Sequence, residues 1–243
     1  LFMARRFFSS ASIQSPRVAI SGSEAHHILH VLRLGVGDRV NLFDGSGVEY
    51  QARIDTISRQ KVDCVIEDQQ TVNRELGIEI HLGVALPKGD RSRWLIEKAV
   101  ELGVHRVVPL ECERSVVHMR SASISRLSKA VIEASKQCGR NQLMELGAPV
   151  SFFQWLEEEQ GDVLRLMAHP EAAGCPLHAI GACRTGETVK IAIGPEGGFS
   201  EAEVRAAVAH DWQLVTLGPR TLRVETAALA VVASISSWSR TEQ

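Results

Sequence analysis

Val189-Lys190-Ile191-Ala192-Ile193-Gly194-Pro195-Glu196-Gly197-Gly198-Phe199-Ser200 and, after a helix-like segment, Leu214-Val215-Thr216-Leu217-Gly218-Pro219-Arg220-Thr221-Leu222-Arg223-Val224-Glu225-Thr226-Ala227 decide the fold class of this chain. Each stretch is a short apolar run of strand character that empties into a glycine-punctuated loop, so the order is strand, loop, helix, strand, loop, helix. In an open parallel sheet the loops leaving the carboxyl ends of strands build the ligand crevice. Glycine there lets the backbone approach a ligand that a Cβ would exclude, so a side chain at Gly194 or Gly198 is expected to intrude on that ligand. Two such loops from one sheet form a cradle.

Taken singly, each loop reads as an ordinary turn. Gly197-Gly198 precedes a helix marked by Ser200 and Glu203, a capping box, and Gly218-Pro219 is a common turn dipeptide. The second loop adds Arg223 and Glu225 directly before the apolar run Ala227-Ala228-Leu229-Ala230-Val231-Val232-Ala233. Two charges at the mouth of a buried helix need partners or a task. Neither loop is a G-x-G-x-x-G or a G-x-x-x-x-G-K-[ST], which removes the dinucleotide fingerprint and the P-loop.

Outward from these loops the alternation continues. Ile78 to Leu86, Val104 to Leu110, Asp162 to Ala168, Thr188 to Ile193 and Gln213 to Leu217 read as strands, and Ile124 to Cys138 reads as a helix. Asp90 is expected to cap another helix, with Leu95, Ile96, Ala99, Val100 and Leu102 at three- and four-residue spacings. The pattern predicts an α/β fold: a mostly parallel sheet with helices on both faces. Residues 1–73 differ. Val18-Ala19-Ile20 opens a strand, Ser23 is expected to cap a helix through His30, and Val40, Leu42, Val48, Tyr50, Ala52 and Ile54 alternate with polar residues about the turn Asp44-Gly45-Ser46-Gly47. Lys61 to Glu67 adds a strand and Asp68 to Gly77 a polar connector, which together describe a small β-rich domain.

Of 243 residues, 44% are hydrophobic and 23% charged, an ordinary composition with enough apolar material for one large domain or two small ones. The longest apolar stretch, Ala227 to Ile235, is too short to span a bilayer, and the amino terminus lacks the core of a signal peptide. No membrane partner and a cytoplasmic location are the expectation, with Met3 a plausible start. Cys64, Cys112, Cys138, Cys175 and Cys183 form an odd set without a C-x-x-C, which favours buried reduced thiols and no metal. Residues 1–40 hold Arg5, Arg6, Arg17, Arg33 and Arg39 against Glu24 and Asp38, a balance of +3 in a chain of net charge −2. That basic segment, with His26, His27 and His30, suits an RNA held at chosen points or a plain solvated face.

GPEGGFSEAEV at 194–204 followed by LGPRTLRVETAALA at 217–230 resembles the paired signature of the ribosomal RNA small subunit methyltransferase E family, within the knotted SPOUT methyltransferases. In the same order as that family stand Met3-Ala4-Arg5-Arg6-Phe7-Phe8, His26 to Leu34 with Gly37-Asp38, Pro87-Lys88-Gly89-Asp90, Glu97 to Gly103, Glu113-Arg114-Ser115, Gln137-Cys138-Gly139-Arg140 and His169-Pro170. The likeness covers essentially the whole chain. It departs at Ser125-Arg126-Leu127-Ser128-Lys129 and at Asn141-Gln142-Leu143-Met144, positions that bear on how RNA is held.

The resemblance implies a PUA-like or OB-like β-barrel that binds RNA over 1–73, PUA-like by preference, and a SPOUT methyltransferase domain with a trefoil knot over 74–243. It implies S-adenosyl-L-methionine as cofactor, held by Ala168 and His169, by Ile193, Gly194, Pro195, Glu196, Gly197 and Gly198, and by Leu217, Gly218 and Leu222, with Thr226 and Ala227 closing the pocket. Arg5, Arg6, His26, Arg33, Arg114 and Arg140 are the expected RNA contacts. The implied reaction is methylation at N3 of a uridine in 16S ribosomal RNA, free or in the assembled small subunit, by a homodimer. The N3 proton must leave, so Arg223 is expected to stabilise the developing anion and Glu225 to act as base or to orient Arg223; an Arg-Glu pair that merely pins the loop is the other reading. A ribose 2′-O-methyltransferase and a catalytically silent ribosome-assembly factor are the alternatives.

Overall fold

A computed structural model describes residues 5–116, 121–158, 163–170, 175–180 and 186–238 of the chain. Cys183 and the residues before Arg5 fall outside the described residues. The structure divides into two compact units, one holding the residues up to Glu75 together with Ser135–Leu143, the other Leu76–Ala134 and the residues from Met144 onward.

In the first unit β1 (Arg6–Phe8), β2 (Arg17–Ser21), β3 (Arg39–Phe43), β4 (Val48–Ile57) and β5 (Lys61–Thr71) form one sheet in the order β1-β3-β4-β5-β2. The β1–β3 pair is parallel and the others antiparallel. Strand alternation points Tyr50, Ala52 and Ile54 inward, where they pack with Phe7, Ile20, Ile28, Leu42 and Val62. β5 runs to Thr71 because β4 offers it partners as far as Val48; its last residues are polar and exposed, which is why they read as a connector. The helix expected from Ser23 starts instead as α1 (Gly22–His26), with Ser21 at its cap making no side-chain bond, and widens into a π turn over His27–Val31.

Two arginines tie Ser135–Leu143 into this unit. Arg6, with a side chain 4% exposed, donates to Glu49 at 2.6 Å, to the Arg140 carbonyl at 2.9 Å and to Asn141, and lies 4.3 Å over the Phe43 ring. Arg140, also buried, reaches Glu75 at 2.5 Å. Burial pulls the Arg6 guanidinium below its ordinary value against the pull of Glu49. Burial pushes the Glu49 carboxyl up, but hydrogen bonds from Arg6 and Arg74 outweigh it and hold the group below the usual range.

The second unit is built on β6 (Glu79–Val84), β7 (Arg106–Glu111), β8 (Glu145–Leu146), β9 (Val150–Ser151), β10 (Val163–Ala168), β11 (Cys175–Pro176), β12 (Thr188–Ile193) and β13 (Gln213–Thr216). The sheet order is β11-β13-β10-β12-β6-β7-β8, with β9 also on β7, and every pairing is parallel. One face carries α4 (Phe152–Glu157) and α5 (Glu201–Ala209), whose Phe152, Trp155 and Ala207 pack with Val108, Met167 and Ala192. The alternate residues, such as Leu82, Ile191 and Ile193, face α6 (Val224–Trp238), which packs on β6 and β12 and against α2 (Asp90–Glu101). The helices thus cover both faces. α3 (Ser121–Cys138) belongs to the second unit as far as Ala134, and its last residues, from Ser135, belong to the first. Asp90 is the first residue of α2 rather than its cap; Gly89 precedes it at φ 67, and the Asp90 carboxylate sits where the helix dipole favours it. Buried Lys190 donates to the carbonyls of Trp155 at 3.2 Å and Glu158 at 2.8 Å, so its charge is satisfied inside the sheet layer.

Candidate active site

Strands β13, β10 and β12 are neighbours in the sheet, so the loops leaving their carboxyl ends meet. Those loops are Ala168-His169-Pro170, Ile193 to Phe199, and Leu217 to Leu222, and together with Val215, Val224 and Ala227 they line one cavity of ≈ 210 Å³. Ile193, Val215, Leu217, Leu222 and Val224 give apolar walls, and the glycines at 194, 197, 198 and 218 present backbone.

The first loop is pinned from several sides. Gly198 N–H donates to the Pro195 carbonyl at 2.8 Å, and Gly198 sits at φ 70, a conformation that favours glycine. The Ser200–Glu203 capping box is formed, and the buried Glu203 carboxylate also accepts from Glu113 N–H at 2.9 Å. Arg114 donates to the carbonyls of Gly197 at 3.0 Å and Phe199 at 3.4 Å. A Cβ on Gly194 would stand 2.9 Å from the Phe199 ring. The expectation that bulk at Gly194 intrudes on the ligand is therefore corrected: it meets Phe199 first. At Gly198 a Cβ has open space, and the obstacle is the backbone conformation.

From Leu222 onward the chain is a partition. Leu222, Val224 and Ala227 face the cavity, whereas Arg223, Glu225 and Thr226 face a second hollow with Asp90, Arg91 and Trp94 of α2. Thr226, expected to close the cofactor pocket, lies on that far side. Arg91 joins the two spaces at their edge, 3.4 Å from Glu196 of the cavity and 3.6 Å from Glu225 of the hollow. The Glu225 side chain is 9% exposed, and its second oxygen is buried without a hydrogen-bond partner among the described residues. Arg223 is exposed beside it.

Residues 74–236 match the family model of the RNA methyltransferase domain, and residues 20–67 match that of the RNA methyltransferase PUA domain. The chain is 33% identical over 232 residues to the ribosomal RNA small subunit methyltransferase E of Bacillus subtilis (strain 168), across 92% of this chain and 91% of that one. This chain belongs to the ribosomal RNA small subunit methyltransferase E family. A Neisseria gonorrhoeae member of the family, solved bound to S-adenosyl methionine, superposes with TM-score 0.87 at 30% identity over 96% of this chain and 97% of that one. A Legionella pneumophila protein solved in complex with the bound cofactor SAM has TM-score 0.89 at 33% identity over 96% and 97% of the two chains.

The family likeness suggested six RNA contacts, and the structure sorts them. Arg5 is exposed and paired with Asp38 at 3.2 Å, His26 is exposed and its ring centroid lies 4.8 Å from that of His30, and Arg33 is exposed at φ 52. Arg6 and Arg140 are corrections: both guanidinium groups are buried in ion pairs and cannot reach a phosphate as the chain is folded. Arg114 is exposed but spends its Nη1 on the first loop. Arg91 and Trp94 escaped the sequence reading. The available signal was Trp94 itself, an aromatic residue off the apolar stripe of its helix.

One cluster outside this site has metal-ligand chemistry. Glu79, His81 and His105 bring ligand atoms within 4.8 Å of one another at the amino ends of the strands, away from the loops. His81 stands in register with Lys190 on one side and Arg106 on the other, and these cations oppose a further cation there.

Proposed function

We propose that this chain transfers the methyl group of S-adenosylmethionine to N3 of a uridine in 16S ribosomal RNA of the small subunit. Glu225 carries the reading: a nine-tenths buried carboxylate beside the cavity, with one oxygen near Arg91 and the other lacking a donor. A carboxylate lining a hollow beside the cavity can take a proton from an N–H seated there. The uracil imide supplies one at N3, and it is a much stronger acid than a ribose hydroxyl, so a carboxylate base suits the ring nitrogen better than the 2′-oxygen.

The cavity fits the cofactor by its lining, with apolar walls for an adenine, glycine backbone for hydrogen bonds, and the Glu196 carboxylate at the rim for a cation. When bound, S-adenosylmethionine supplies an electrophilic methyl on a sulfonium. In this reading Ala168, His169, Ile193 to Gly198, Leu217, Gly218, Leu222 and Ala227 hold it. Glu225 takes the N3 proton as the N–H electron pair stays on nitrogen, and Arg223 stabilises the negative charge that develops on the imide. Arg5, His26 and Arg33 contact the RNA backbone, and a homodimer buries part of the α6 face on which Leu229 and Ala230 are half-exposed.

Nucleoside mass spectrometry of ribosomal RNA from cells with and without the gene tests the reaction. Loss of 3-methyluridine on deletion is the expected result; loss of a ribose methyl, or no change, overturns it. Arg5→Ala with Arg33→Ala should lower the salt slope of RNA binding by roughly one per lost contact. Light scattering at micromolar concentration should give twice the chain mass.

A further inference from the structure

We infer that the hollow between α2 and the start of α6 seats the target base, with Trp94 as the face on which it stacks. This rests on the proposed reaction and names the residue that would hold its substrate. Trp94 is 47% exposed, an unusual outlay of indole surface on a helix whose apolar stripe is otherwise buried. Its neighbours in the hollow are polar and charged: Asp90, Arg91, Arg223 and the Glu225 carboxylate. One aromatic face beside charged hydrogen-bonding groups is how proteins hold splayed single-stranded bases, stacking on the ring and reading its edge.

The edge reading adds a choice among pyrimidines. The Glu225 carboxylate accepts the uracil N3–H, whereas cytosine turns a lone pair toward it at the same position. The hollow thus favours uracil over cytosine without any further contact. Its place fits the reaction too, because it shares an edge with the cavity where Arg91 stands between Glu196 and Glu225. A base stacked on Trp94 lies along that edge.

The test uses the full-length protein, Trp94→Ala and Trp94→Phe, with small subunits lacking the modification and carrying 4-thiouridine in their ribosomal RNA. Long-wavelength irradiation in the presence of S-adenosylhomocysteine should crosslink wild type through the peptide containing Trp94, and the alanine variant should lose that crosslink. Base–aromatic stacking is worth enough that kcat/KM should fall roughly 5- to 150-fold in Trp94→Ala. Trp94→Phe should keep most of it, while cofactor affinity by calorimetry and mass by light scattering stay unchanged in both. Crosslinks confined to other peptides, or a Trp94→Ala enzyme with wild-type kcat/KM, would overturn the inference. So would a halved mass in Trp94→Ala, which would show that the indole packs against a second copy of the chain. Failure of the reaction itself would show separately, as wild-type protein that makes no 3-methyluridine, whereas the crosslink reports where a base sits.

Discussion

Glu49→Gln should destabilise the first unit by about 2–3 kcal/mol at neutral pH, and the loss should fade in acid. Glu49 receives Arg6 at 2.6 Å and Arg74 at 3.1 Å, with side-chain exposures of 4% for Arg6 and 40% for Arg74. Breaking a buried ion pair costs about 3–5 kcal/mol, because the surviving charge stays buried without compensation. Arg6 keeps its bonds to the Arg140 carbonyl and Asn141, and glutamine still offers a neutral acceptor, so the cost falls toward the low end or below it. The half-exposed Arg74 pair adds at most about 1 kcal/mol. The sign with pH follows from the carboxyl lying below its ordinary value of 4.5 in the fold. A depressed carboxylate stabilises fully above its unfolded pKa and loses that contribution as pH falls through the folded one. The gap between wild type and variant should therefore be flat from pH 6 to 8 and shrink below 4.5. Urea unfolding by circular dichroism measures it, with hydrogen exchange on β3 and β4 as the local probe, because Trp94, Trp155, Trp212 and Trp238 all lie in the other unit. A variant as stable as wild type at pH 7, or a gap unchanged at pH 3.5, would refute the assignment of Arg6 to structure rather than to RNA.

Glu225→Gln should lower turnover by roughly 10²–10⁴-fold with affinity for S-adenosylhomocysteine little altered, as single-turnover rates and calorimetry would show. Gly218→Val places a β-branched residue at φ 102 in open space, so about 1–3 kcal/mol of backbone strain should reshape the second loop and weaken cofactor binding in a protein that still folds. Burial pushes the thiols of Cys64 up to about 11 and Cys112 up to about 12, whereas Cys175 is exposed. Iodoacetamide followed by peptide mapping should find Cys175 alkylated before Cys64 and Cys112, and equal labelling of Cys112 would count against the packing described for it.

Strand and helix order was legible because burial leaves a period. The alternation of Tyr50, Ala52 and Ile54, and the capping pair Ser200 and Glu203, read directly into β4 and α5. What stayed hidden depends on partners distant in sequence. β1 is three residues long and exists because Asn41, Leu42 and Phe43 offer it a parallel edge. α4 carries a cap of its own, Ser151 with Gln154, but one turn and a half of helix has too little apolar period to stand out. The departure of Ser135–Leu143 to the first unit rests on buried guanidinium groups, which composition counts as surface charge.

The same reason divides the site. The loops of the cavity were visible because two glycine loops follow two strands of one pattern and the second adds Arg223 and Glu225, and adjacency of β13, β10 and β12 then brings Ala168, Ile193 and Leu217 together. Arginines could not be sorted by sequence, since a guanidinium that clamps a fold and one that meets a phosphate have the same local pattern; Arg6 and Arg5 are neighbours with side-chain exposures of 4% and 50%. Partition of the loop after Leu222 was equally hidden. On entering α6 successive residues diverge by about 100° around the axis, so Glu225 and Thr226 turn away from the cavity that Val224 and Ala227 line. That divergence gives the second loop two tasks on its two sides, and it puts the buried carboxylate on the side where Trp94 waits.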